Sequence, residues 1–159
     1  MSQATDNPAR GEHVIKQRVW VPRPRDEVFE FFAAAENLGR ITPPELSFRI
    51  RSDLPIDMHA GAIIDYQIGL YGVPMKWRTE ITAWNPPSSF EDTQIAGPYR
   101  KWIHLDQFFE DAGGTVIVDR VAYSLPWGHL GRIAHPIVAR QLRRIFMYRE
   151  EVLTGIFKQ

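Results

Sequence analysis

Three short stretches place acid–base side chains at strand spacing. Phe90, Asp92 and Gln94 alternate with Glu91 and Thr93, and Trp102, His104, Asp106 and Phe108 alternate with Ile103, Leu105 and Gln107. Asp119 and Tyr123 form a third set of the same parity. Alternate residues of a strand share a face, so on adjacent antiparallel strands these sets would meet as a cluster of Asp92, Gln94, His104, Asp119 and Tyr123. A histidine beside a carboxylate is the basic unit of general acid–base catalysis. His104 is the candidate acid or base, oriented by Asp92, Asp106 or Asp119, with Tyr123 polarising a carbonyl. The bland reading of the same residues is a cross-strand network that fixes register, since buried polar groups must be paired. The other face of the His104 stretch is also apolar, with Ile103, Leu105 and Phe109. If that face turns inward, His104 and Asp106 meet solvent; if it turns outward, it offers a homodimer contact.

Other chemistries find no support. There is no cysteine, which removes thiolate catalysis, disulfides and cysteine-ligated metals. His13, His59, His104, His129 and His135 form no helical i,i+4 pair and no dense ligand spacing. No metal and no cofactor are therefore expected, and only carboxylates from distant strands are left as candidate ligands. The phosphate loop, the dinucleotide glycine fingerprint and the nucleophile elbow are all missing. Nineteen basic side chains balance nineteen acidic ones, which argues against nucleic acid as the partner. No apolar run approaches the ~18 residues of a membrane span. The polar start of the chain lacks the apolar stretch of a secretory signal, so a cytoplasmic location is expected.

The elements that must hold these residues follow from periodicity. Met1 to Glu12 has none and reads as a disordered tail; residues 13–159 read as one domain, since 159 residues suffice for a single core. His13 to Val21 alternates as a strand. Pro24, Asp26 and Glu27 open a helix over Arg25 to Ala35, followed by a short helical turn to Ile41. Six more strands are expected: Leu46 to Arg51, one around Ile64 to Ile68, Met75 to Ile81, Ser89 to Ile95, Lys101 to Glu110 and Thr115 to Leu125. Short Gly- and Pro-containing turns join them, which predicts an antiparallel meander in an α+β domain. Leu130 to Phe157 is one long amphipathic helix, kinked or offset at Pro136. Its apolar stripe reads as Leu130, Ile133, Ile137, Leu142, Ile145, Tyr148, Val152 and Ile156. Arg132, Arg140, Arg143 and Arg144 read as its solvated face, and Arg149, near the stripe, should reach a carboxylate, with Glu36 one candidate. A curved seven-stranded sheet gripping this helix is the expected architecture, and between them lies either a packed core or an apolar pocket.

The order of pieces resembles the START/birch-pollen-allergen superfamily, and within it the bacterial polyketide-cyclase-like (SRPBCC-type) ligand-binding proteins. The residues that carry the resemblance are Pro24 with Val28-Phe29, Asn37-Leu38 with Ile41-Thr42-Pro43-Pro44, Gly97-Pro98-Tyr99 with Trp102 and His104, Asp119, Val121 and Tyr123 with Pro126, and Phe146 with Tyr148-Arg149. It spans roughly residues 13 to 157. It implies a helix-grip fold, with two short helices after the first strand, and a small hydrophobic or aromatic ligand between sheet and helix. Tyr66, Trp77, Phe90, Asp92, Gln94, Trp102, Val138 and Leu142 are the expected ligand contacts. The alternatives are an aromatase/cyclase- or dehydratase-like enzyme using His104, Asp119 and Tyr123, and a non-catalytic protein-interaction regulator. One fold carries all three.

Overall fold

The computed structural model describes residues 8–158, so residues 1–7 of the expected tail lie outside the described residues. Residues 8–12 form a turn closed by the Glu12 N–H on the Ala9 carbonyl, and the Glu12 carboxylate pairs with Lys101 at 3.0 Å. Strand β1 (His13–Val21) leads to helix α1 (Arg25–Ala33), with Pro24 at its N-cap and Asp26 and Glu27 in its positive first turn. The Asn37 side chain donates to the Phe31 carbonyl near the end of α1, and a 3-10 turn over Ala35–Ile41 follows.

The strand expected from Leu46 to Arg51 is mostly not one. Pro43 and Pro44 start a second 3-10 turn (Pro44–Leu46), and Ser47 is left-handed at φ 46°. Only β2 (Arg49–Ile50) pairs. Proline fixes φ and removes a donor, and that local constraint outweighs the two-residue alternation. The remaining strands are β3 (Ile63–Leu70), β4 (Val73–Asn85), β5 (Ser89–Ala96), β6 (Lys101–Asp111) and β7 (Gly114–Ser124). They form one seven-stranded antiparallel sheet in the order β1-β7-β6-β5-β4-β3-β2. β1 therefore joins the last strand, with His13 opposite Tyr123 and Val21 opposite Thr115. The β6–β7 turn has Ala112 and Gly113 both at positive φ, the geometry a two-residue hairpin requires.

Helix α2 (Gly128–Phe157) is one helix of 30 residues containing Pro136, about 45 Å long at roughly 1.5 Å per residue. Its inward row is Gly131, His135, Val138, Leu142, Phe146, Arg149, Leu153 and Phe157, of which the two ends and the middle are buried. The stripe read from the sequence needs correcting at its start. Leu130, Ile133 and Ile137 are 68%, 74% and 60% exposed. The stripe passes from Ile137 to Leu142, and a five-residue step turns about 140° on a helix of 3.6 residues per turn. It thus joined two opposite faces. Towards its C-terminal end α2 packs Leu153 and Phe157 against Val21, Phe29, Phe32 and Phe108 in a solid core. Towards its middle, Leu142 and Phe146 meet Trp77, Tyr99, Val121 and Tyr123, and there the packing opens.

Candidate functional site: a cavity closed by a buried ionic cluster

Between α2 and the concave face of the sheet lies a cavity of about 130 Å³. Its apolar wall includes Phe48, Ile68, Trp77, Phe90, Trp102 and Phe146. Two rings pack close together there, Trp77 edge-on to Trp102 at 5.2 Å between centroids, and Tyr66 stacks on Trp77 at 5.6 Å. One part of the wall is ionic: Asp92, His104, Asp106 and Arg149.

Strand register assembles that part. Asp92 on β5 lies opposite His104 on β6, and Asp106 on β6 lies opposite Asp119 on β7. Because side chains alternate, all four share the concave face. The ambiguity over β6 is thereby resolved: His104 and Asp106 face inward, and Phe109 is the outward residue, 48% exposed. His104 Nδ1 lies 3.3 Å from Asp92 Oδ2, and Nε2 lies 2.5 Å from Asp119 Oδ1 and 3.4 Å from Asp106 Oδ2. Arg149 comes down from α2 and donates to Asp119 Oδ2. The carboxylate foreseen for Arg149 is thus Asp119 and not Glu36; seven residues beyond Leu142 on the inward row, Arg149 is aimed at the sheet. Thr79 Oγ1 donates to Asp92 Oδ1 at 3.1 Å.

The electrostatics follow from burial and neighbours. Burial alone would lower the pKa of His104, but the Asp106 and Asp119 carboxylates outweigh it and hold the imidazole protonated, well above its usual range. Burial would raise Asp119, yet His104 and Arg149 bring it down to about 2. Burial outweighs the pull of His104 on Asp106, and with the repulsion of Asp119 it pushes that carboxyl up to about 7. Its Oδ1 is buried and has no hydrogen-bond partner, and the Trp77 Nε1 and Arg149 Nε are in the same condition.

The residues singled out by sequence divide. Tyr66, Trp77, Phe90, Asp92, Trp102, His104 and Leu142 line the cavity. Asp119 stands behind His104. Gln94 does not line it, because its side chain binds both the N–H and the carbonyl of Tyr99 across the Gly97-Pro98 turn. Val138 lies off the cavity, packed with the Trp77 and Tyr123 group. The Tyr123 hydroxyl is engaged with His135 Nε2 at 3.0 Å, and His135 stacks on His13 at 3.6 Å between centroids. Thr79, Tyr99, Gln141 and Ile145 line the cavity without having been foreseen. Gln141 and Ile145 flank Leu142 on α2, and Thr79 shares the parity of Trp77 and Ile81 on β4, so alternation was the available signal for it.

No family model matches the chain, and no curated protein matches it in sequence. Solved structures do match. Zhui aromatase/cyclase from Streptomyces sp. R1128 superposes with a TM-score of 0.74 at 16% identity, over 92% of this chain and 94% of that one. The fold is the helix-grip fold. Protein CV1439 from Chromobacterium violaceum gives 0.72 at 11% identity over 92% and 99%, and ginseng major latex-like protein 151 from Panax ginseng gives 0.64 at 9% over 92% and 98%. This helix-grip protein therefore shares the fold of these structures, the one that the sequence pieces predicted. At these identities the likeness is one of fold. Among the described residues no helix is long and apolar enough to cross a membrane.

Proposed function

We propose that this protein binds a small, mostly apolar cyclic molecule between α2 and the sheet, with the molecule's polar group directed at Asp92, His104, Asp106 and Arg149. The observation that supports it is an aromatic-walled cavity with a buried ionic patch in one part of its wall. Ligand sites are mostly apolar with a few convergent polar groups. The size sets the scale of the ligand. An apolar cavity of about 150 Å³ takes a benzene ring, whereas drug-sized ligands use roughly 300–1,000 Å³. At about 130 Å³ the cavity fits one ring, and a larger molecule would need side chains such as Phe48 or Ile145 to move. Shared architecture with an aromatase/cyclase and a latex-like protein is compatible with this reading.

The test is a panel of single-ring and fused-ring compounds against the purified protein, read by tryptophan fluorescence and thermal shift. Trp77 and Trp102 line the cavity, so a bound ring should change their emission. Single rings should bind more tightly than three-ring compounds. If no compound changes either signal and native mass spectrometry finds no co-purified molecule, the reading fails.

A second reading, acid–base chemistry on the bound molecule, has its own support: His104 lines the cavity with carboxylates of Asp92, Asp106 and Asp119 around it. In that reading His104 delivers a proton to the bound molecule. A ligand recovered chemically unchanged after long incubation would count against it.

A further inference from the structure

The ionic part of the cavity wall has a feature that neither ligand binding nor fold register requires. Two of its three innermost groups, Asp92 and His104, have one atom held from behind and another directed towards a neighbour, and the third, Asp106, has an oxygen with no hydrogen-bond partner. Asp92 is held at Oδ1 by Thr79, leaving Oδ2 free of hydrogen bonds to the backbone and hydroxyls. His104 is held at Nε2 by Asp119, whose other oxygen is held by Arg149, leaving Nδ1 directed at Asp92 Oδ2, 3.3 Å away. Asp106 is 2% exposed, and its Oδ1 has no partner at all. One donor atom from each of the three residues can be chosen so that all lie within 4.8 Å of one another.

We propose that Asp92, His104 and Asp106 form a site for one divalent transition-metal cation of the zinc or manganese kind. The inference does not rest on the ligand reading above. Atoms bound to one metal at roughly 2.0–2.2 Å lie about 3.0–3.6 Å apart along a polyhedron edge and at most about 4.4 Å apart across it, so separations of up to 4.8 Å would shorten on binding by between a few tenths of an ångström and about 1.8 Å, a side-chain rotation rather than a backbone shift. The 3.3 Å between His104 and Asp92 already matches one edge of a coordination polyhedron. Two carboxylates and one imidazole suit borderline divalent cations better than soft ones. A metal-binding histidine nearly always donates its other N–H to a carboxylate, and Asp119 is in that place. Charge closes as well. Arg149 offsets Asp119, and a dication offsets Asp92 and Asp106 once it replaces the proton on His104. The histidine spacing in the sequence gave no sign of such a site, because its donors come from two strands and only one of them is a histidine.

The test uses the full chain after dialysis against EDTA. Zn²⁺ and Mn²⁺, with Mg²⁺ and Ca²⁺ for comparison, are titrated by calorimetry, and stoichiometry is read by native mass spectrometry. The expected result is one Zn²⁺ or Mn²⁺ per chain, at least tenfold tighter than Ca²⁺, with affinity reduced at least tenfold in Asp92→Asn and in Asp106→Asn. The stacked His13 and His135 are the competing zinc site on this molecule, so His13→Gln is the control and should leave binding unchanged. Circular dichroism of each variant checks that it folds; should Asp106→Asn not fold, Asp92→Asn and His104→Gln carry the comparison. Absence of a one-to-one complex, or binding lost in His13→Gln and kept in Asp92→Asn, overturns the proposal.

Discussion

Arg149 and Asp119 form a buried pair: Asp119 is the main partner of Arg149, and Asp119 is shared between His104 and Arg149. Removing one member of such a pair leaves an uncompensated buried charge, at a cost of roughly 3–5 kcal/mol. Arg149→Met should therefore destabilise the protein by that amount in urea unfolding, while Arg140→Met, on the exposed face of α2, should change it by less than about 0.5 kcal/mol. The pair also fixes a pH limb. Asp119 is depressed to about 2 in the folded state from its ordinary value of 3.8, so its contribution is present above about pH 4 and is lost as pH falls towards 2. Asp106, pushed up to about 7, stays protonated across that window and does not mask the effect. In EDTA, stability should fall between pH 4 and pH 2, and Asp119→Asn should flatten this limb. An unchanged slope in that variant would mean other carboxylates set it.

The helix presents two apolar faces of unequal worth. Leu153 is 1% exposed and packed in the C-terminal core, whereas Ile133 is 74% exposed. Leu153→Ala should cost about 2–5 kcal/mol by loss of burial and the cavity left behind. Ile133→Lys should cost less than about 0.5 kcal/mol, although both positions look equally apolar in the sequence. At the start of α2, Gly131 sits so close to the bend that follows β7 that an added Cβ would lie 2.4 Å from the Pro126 carbonyl oxygen. That atom is backbone and cannot rotate away. Gly131→Ala should lower the thermal midpoint by several degrees, consistent with ~1–3 kcal/mol for overpacking in a domain of this size. A midpoint within a degree of the wild type would show that the first turn of α2 can shift freely.

At the scale of the molecule, one end is packed solid and the middle is hollow. The rings of Phe29, Phe32, Phe90 and Phe108 meet edge to face at 5.1–6.0 Å, and with Leu153 and Phe157 they fill the space under α2. Beside them the Trp77, Tyr99 and Trp102 group leaves the cavity. Filling it tests whether the space is what binds. Leu142→Trp should keep the fold, because α2 stays anchored at Leu153 and Phe157, and should abolish binding of single rings in the fluorescence assay. Retained binding would place the ligand elsewhere. The sequence supports this architecture through long-range consistency: most strands alternate, the turns between them carry Gly or Pro, and Leu130 to Phe157 keeps helical spacing. It failed where a local feature competed, at the Pro43-Pro44 turn that shortens β2 and at the five-residue step from Ile137 to Leu142.

By itself the sequence determined the class of elements, their order and the three sets of side chains that could share a face, because periodicity of two or of 3.6 is a property of neighbours along the chain. It brought Asp92 and His104 together correctly, since hairpin partners a dozen residues apart are nearly local. Only the tertiary structure decided which face of β6 is inward, that Gln94 and Tyr123 spend their polar groups elsewhere, and that Arg149 crosses from the helix to Asp119 on the sheet. Those facts depend on register and on the rotation of α2 about its own axis, and both are set by how the whole core packs.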